Sequence, residues 1–157
     1  MKIHIKEKNC WQGKVRITIF RDGQIISLTE LKNLITDAGL NLLISALAGG
    51  NDATIKYIAL GNDGSTPTNS DTKLGNEFFR KPITKQETGL GSIITTTYIA
   101  PGEANIYTIK EIGWFAGKNA TSIKDSGVLI ARVLYTHAKN EKESLVIERT
   151  DALVREG

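Results

Sequence analysis

The segment Asn105–Gly117, NIYTIKEIGWFAG, constrains the fold more than any other stretch of the chain. It gathers Ile106, Tyr107, Ile109, Ile112, Trp114 and Phe115 into one short span. β-Branched and aromatic side chains of this kind suit a pleated, buried surface. From Ile106 onward apolar residues fall on both side-chain faces, so the expected element is a strand covered on both sides. Gly113 interrupts the pattern and predicts either a bulge or a close backbone approach. Glu111 lies among apolar neighbours. Its carboxylate must point outward or meet a partner, because an unpaired buried charge is costly.

The other strands follow from alternation and turn chemistry. Lys2–Lys6 alternates as a short strand, and Asn9–Gly13 reads as a break after it. Lys14–Phe20 sets Val15, Ile17 and Ile19 against Lys14, Arg16 and Thr18, the pattern of a half-buried strand. Asp22-Gly23 then predicts a tight hairpin returning through Ile25–Leu31. Further strands are expected at 54–60, 83–87, 92–100, 128–135 and 144–154. Residues 74–79 read as a turn of helix or an extended step, and Pro82 marks an edge or a strand start. Polar loops rich in turn formers are expected at 61–71 and 118–125.

One helix is expected near residues 36–48. Thr36 or Asp37 can cap its start, Gly49-Gly50 stops it, and Leu40, Leu43, Ile44 and Leu47 recur at helical spacing. That stripe is expected to face the core. Strands at short intervals joined by Gly, Pro and Asp turns, with a single helix, give a mainly β fold: an antiparallel, jelly-roll-like β-sandwich. The 157 residues suffice for one domain with a real core. Within it, residues 1–30 form N-terminal strands and a possible attachment region, and residues 31–154 the core.

Composition removes several function classes. A net charge of +3, from 20 basic and 17 acidic residues, is small and dispersed, so no nucleic-acid footprint is expected. The single cysteine, Cys10, rules out an intrachain disulfide. The longest mostly apolar segment, Leu40–Ala48, is far short of the ~20 residues of a membrane helix, so no membrane insertion is expected. The start lacks the apolar centre of a secretory signal. No nucleophile motif occurs. His4 and His137, the only histidines, sit among polar residues, and with one cysteine they supply no zinc ligand set. The loop Asn62–Asp71 is rich in oxygen, but lacks the calcium-loop spacing. No cofactor or metal is therefore expected. Glu111 and Glu148 are the carboxylates left to nominate for glycoside hydrolysis.

Several stretches together resemble small bacteriophage virion proteins of the tail-fibre-like or baseplate-like kind. They are the helix ending in Ala48-Gly49-Gly50, Tyr57-Ile58-Ala59-Leu60-Gly61, and the Pro67–Asp71 loop followed by Thr72-Lys73-Leu74-Gly75-Asn76-Glu77. Glu111-Ile112-Gly113-Trp114-Phe115 and Gly127–Val133 complete the set. The resemblance carries no catalytic residues. It implies a virion building block made in the host cytoplasm, repeated about a symmetry axis as a trimer, docked to other virion proteins and presenting loops outward. Host-surface glycan contact would then fall to Trp11, read as a surface aromatic, and to Asn62, Asp63, Thr66 and Asp71. Three rival readings share the same sequence: a capsid decoration or head-fibre protein, a carbohydrate-binding module using Trp11 or the 62–71 loop, and a glycosidase acting through Glu111 and Glu148.

Overall fold

The computed structural model describes residues 8–156. The elements run β1 (Lys8–Arg21), β2 (Gln24–Ile35), α1 (Asp37–Leu47), β3 (Ile55–Gly61), β4 (Glu77–Pro82), β5 (Lys85–Gly89), β6 (Ser92–Ile99), β7 (Ile109–Ala116), β8 (Val128–His137) and β9 (Glu143–Glu156). Among the described residues the fold is mainly β and antiparallel with one helix, as the sequence predicts. The nine strands among the described residues belong to one sheet, in the order β4-β3-β7-β8-β2-β1-β9-β6-β5.

That sheet curls. β2 pairs with β1 over most of its length and touches β8 only through Leu34 and Ile35. It therefore passes from one half of the sheet into the other. At the opposite corner only Ile83 and Thr84 separate the two terminal strands, β4 and β5. The Ile83 N–H bonds to the Lys56 carbonyl in one half, and the Thr84 N–H to the Thr96 carbonyl in the other, both at 2.9 Å. The two halves, β4-β3-β7-β8 and β2-β1-β9-β6-β5, thus face each other across a shared interior. Ile17, Ile99 and Ile147 from one half pack in a single cluster with Ile58, Ile112 and Trp114 from the other.

Local chemistry explains the elements. In the β1–β2 hairpin, Asp22 and Gly23 both take positive φ, 50° and 73°, as a two-residue turn of matching twist demands. The N-cap of α1 is Thr36, whose Oγ accepts from the Gly39 N–H at 3.0 Å. Pro82 closes β4, an edge strand, where a missing N–H costs nothing. Residues 77–82 are extended, and Leu74 ahead of them is fully buried.

Three expectations need correction. Asn9–Gly13 is no break, because β1 runs unbroken and pairs residue for residue with β9 from Lys8↔Glu156 to Arg21↔Glu143. The central strand starts at Ile109, and Ile106 and Tyr107 lie exposed in the loop before it. The third concerns α1. Its buried residues are Gly39 and Leu42, while Leu40, Ile44 and Leu47 are 44%, 64% and 78% exposed. Gly39 is the reason. A Cβ there would lie 2.9 Å from both the Cα and the carbonyl oxygen of Ile130, so the helix rests on β8 through its glycine and not through its leucine stripe. The short strand expected at Lys2–Lys6 lies outside the described residues.

Candidate interaction surface

The outer face of the β4-β3-β7-β8 half is covered by two loops, residues 62–76 and 117–127. β-Strands alternate their side chains, so residues of β7 that do not face the main core face these loops. Phe115, with Ala59 of β3 and Leu129 of β8, meets Leu74 from the first loop and Ala120 from the second in a small separate core. Gly113 lets that core close. A Cβ there would stand 2.7 Å from Leu74 Cδ2 and 2.9 Å from Leu129 Cδ1, so of its two predicted readings the close approach is the one observed.

Each loop is pinned by a buried ion pair. Glu111 of β7 is fully buried and accepts from Arg132 Nε at 2.7 Å. Its oxygens also accept the N–H groups of Asp63, Gly75 and Asn76 at 3.3, 3.0 and 2.8 Å. Arg132 donates in turn to the Asp63 carbonyl, the Ser65 hydroxyl and Asp71. One salt bridge therefore holds both ends of the first loop. The second loop has its own. Glu77 and Arg80 of β4 form a buried pair, and Arg80 Nη1 donates to the Thr121 and Ser126 carbonyls at 3.0 and 2.8 Å. The Arg80 guanidinium lies 4.2 Å above the Phe115 ring.

Within the first loop the carboxylates organise the backbone. Asp63 accepts from the Ser65 N–H at 2.7 Å, and that bond holds its carboxyl below the usual range. Burial pushes Asp71 upward, but the Thr68 N–H and hydroxyl, with Arg132, outweigh it and leave its carboxyl below the usual range. Asn62 is bonded to Asn76 at 2.6 Å, and Thr66 lies exposed on the loop.

The structure thus brings Asn62, Asp63, Thr66 and Asp71 together on one surface. It does not add Trp11 to them. Trp11 lies on the inward face of β1, half-buried against the main core, and its Nε1–H donates to Asp151 at 2.7 Å. It is not a surface aromatic. It lines a mostly apolar cavity of about 350 Å³ between α1 and the β5–β6 hairpin.

Glu111 and Glu148 are not brought together either. Glu111 lies beneath the first loop with its lone pairs engaged, whereas Glu148 points outward from β9 beside Lys14, Arg16 and Glu30. His137 bonds Glu143 at 2.7 Å, and His4 lies outside the described residues. Among the described residues no three His, Cys, Asp or Glu side chains are grouped to hold a metal ion. No helix among them is long and apolar enough to cross a membrane. Of the two pinning pairs, one carries a signal in the sequence. Arg132 interrupts one apolar strand and Glu111 another, with opposite charge. Arg80 and Glu77 had no such setting, because residues 74–79 gave no firm element.

The family profile of phage tail-collar fibre protein, N-terminal, matches residues 28–130. That is about two thirds of the chain, and it contains both loops, Glu111 and Arg80. The chain belongs to this family. It is a phage tail structural protein, and by family a component of the virion that meets other virion proteins. Comparison with curated proteins and with solved structures gives no match. The loop-covered face is where the fold commits two buried ion pairs to holding a polar surface in one shape, and of their four residues only Arg132 lies past the end of the match.

Proposed function

We propose that this chain works in the tail by assembly, holding a fibre at the collar or baseplate, and that it acts by contact and not by catalysis. The observation that carries the reading is the double pinning of the two polar loops over the β4-β3-β7-β8 half. A surface fixed before binding loses less conformational freedom when a partner docks. Loops positioned by a rigid scaffold are where binding residues concentrate. Asn62, Asp63, Thr66 and Asp71 would then form the contact with a neighbouring virion protein or a host-surface glycan. Residues 1–30 would supply the attachment to the neighbour, and three copies about an axis would build the fibre base. The engagement of Glu111 by four donors supports a positioning role for it over an acid–base one.

Gold-labelled antibody against the chain, viewed on intact particles, tests the reading. Label at the collar or baseplate is the expected result. Label on the head would replace it with a capsid decoration role. Glycan binding by the purified chain that Thr66→Ala weakens would assign the loops to the host surface, and unchanged binding would remove them from that role.

A further inference from the structure

The inner face of the β2-β1-β9-β6-β5 half carries a polar patch of its own, remote from the two covering loops. Strand registers set Asn33, Gly13, Asp151 and Ile93 in one row across β2, β1, β9 and β6. In the next inward row Thr95 stands directly opposite Arg149. Arg149 and Thr95 are 0% and 1% exposed. Asn33 and Arg149 reach toward each other over Gly13, where a Cβ would stand 2.2 Å from Asn33 Oδ1 and 2.5 Å from Arg149 Nη2. Arg149 donates to Asp151 from Nε and Nη2, and its guanidinium lies 5.0 Å above the Trp114 ring. Its Nη1 is buried and has no partner among the described residues. The same holds there for both ends of the Asn33 amide and for the Thr95 hydroxyl. Buried polar atoms of folded proteins are in the great majority hydrogen-bonded, either to protein or to ordered water.

We propose that Asn33, Arg149 and Thr95 hold a buried water molecule between them. The chemistry of the three side chains selects the occupant. Asn33 presents an unpaired acceptor as well as a donor, and turning its amide over exchanges the two without removing either. An anion cannot donate to that acceptor. It would also place a second negative charge beside Asp151, where Arg149 supplies a single positive one. A cation would lie against the guanidinium. Water both donates and accepts, and it needs two to four polar partners, which this patch supplies. The site has a route to solvent. Asp151 and Ile93, in the same row as Asn33, line the apolar cavity beside α1, so the water lies directly behind the cavity wall. Held there, it ties β2 to β9 and β6, two strands with which β2 shares no backbone ladder.

This site is independent of the tail assignment and is tested on the purified chain. Crystal structures are compared for the wild type and for Thr95→Val, which keeps the branched shape and removes the hydroxyl. The expected wild-type result is one spherical peak of density at hydrogen-bond distance, about 2.7–3.2 Å, from both Arg149 Nη1 and the Asn33 amide. In Thr95→Val the occupancy of that peak is expected to fall while the surrounding strands stay in place. Three results overturn the proposal. One is a protein atom bonded to Asn33 and Arg149 in the water's place, their own direct bond included. Another is density with the scattering of an anion. The last is a peak whose position and occupancy Thr95→Val leaves unchanged. The wild-type structure decides the first two whether or not the variant folds.

Discussion

The two halves of the curled sheet share one interior and differ on their outer faces. Across the β4-β3-β7-β8 half, loops 62–76 and 117–127 add a second small core of Ala59, Leu74, Phe115, Ala120 and Leu129. Across the β2-β1-β9-β6-β5 half, the outer face carries exposed and half-buried groups such as Lys14, Arg16, Glu30 and Glu148. Their ion pairs differ in the same sense. Glu111–Arg132 and Glu77–Arg80 are buried and each fixes a loop, whereas Lys14 and Arg16 meet Glu30 in solvent. A sheet face covered by loops needs internal partners for every polar group it encloses, and buried charge is what organises the loop backbone here. A face left to water needs no such device.

The comparison can be broken most severely at Arg132. Arg132→Ala leaves Glu111 buried without its countercharge, and breaking such a pair typically costs about 3–5 kcal/mol. The melting temperature is expected to fall sharply, and cleavage within residues 62–76 to appear in limited proteolysis. Gly113→Ala should follow at roughly 1–3 kcal/mol, the usual cost of overpacking, since Leu74 and Leu129 must give way. Chemical denaturation measures it. Thr36→Ala removes the cap of α1 and should cost about 1 kcal/mol in the same assay. On the open half, Lys14→Ala should leave the denaturation midpoint where it is, because solvent screens its bond to Glu30.

Acid sharpens the contrast. Asp63 and Asp71 both have carboxyls held below the usual range in the folded state. Their contribution is therefore present above the unfolded value of about 3.9 and is lost as pH falls through the lower folded values. Loop 62–76 should keep its order down through pH 4 and loosen below it. Amide NMR signals of residues 62–76 followed from pH 7 to about pH 3 check the direction; loosening already near neutral pH would contradict it.

The difference between the halves was partly legible in the sequence. Strands of the covered half, such as IKYIALG and IKEIGWFA, are apolar on both parities, while KVRITIF of the open half alternates. The hairpin at Asp22-Gly23 and the cap at Thr36 could be read because their chemistry is local. The orientation of α1 could not. Periodicity locates the stripe Leu40, Ile44 and Leu47, but which side of the helix meets the sheet depends on Gly39 clearing the backbone of Ile130, a contact across ninety residues of chain. Trp11 was misplaced for a related reason. With Asn9–Gly13 read as a break, nothing placed its ring on the inward side of a long strand facing Asp151. Glu111 was recognised as needing a partner, yet the three loop N–H groups it accepts come from residues far from it in sequence.

Hydrogen exchange at the Gly75 and Asn76 amides tests the central claim most directly. Both belong to a polar surface loop, yet both donate to a fully buried carboxylate. The expected result is protection approaching that of β7 amides in the wild type, falling by orders of magnitude in Glu111→Gln while the β1–β9 ladder exchanges as before. Rapid exchange of both amides in the wild type, at the rate of an ordinary exposed loop, would contradict the account.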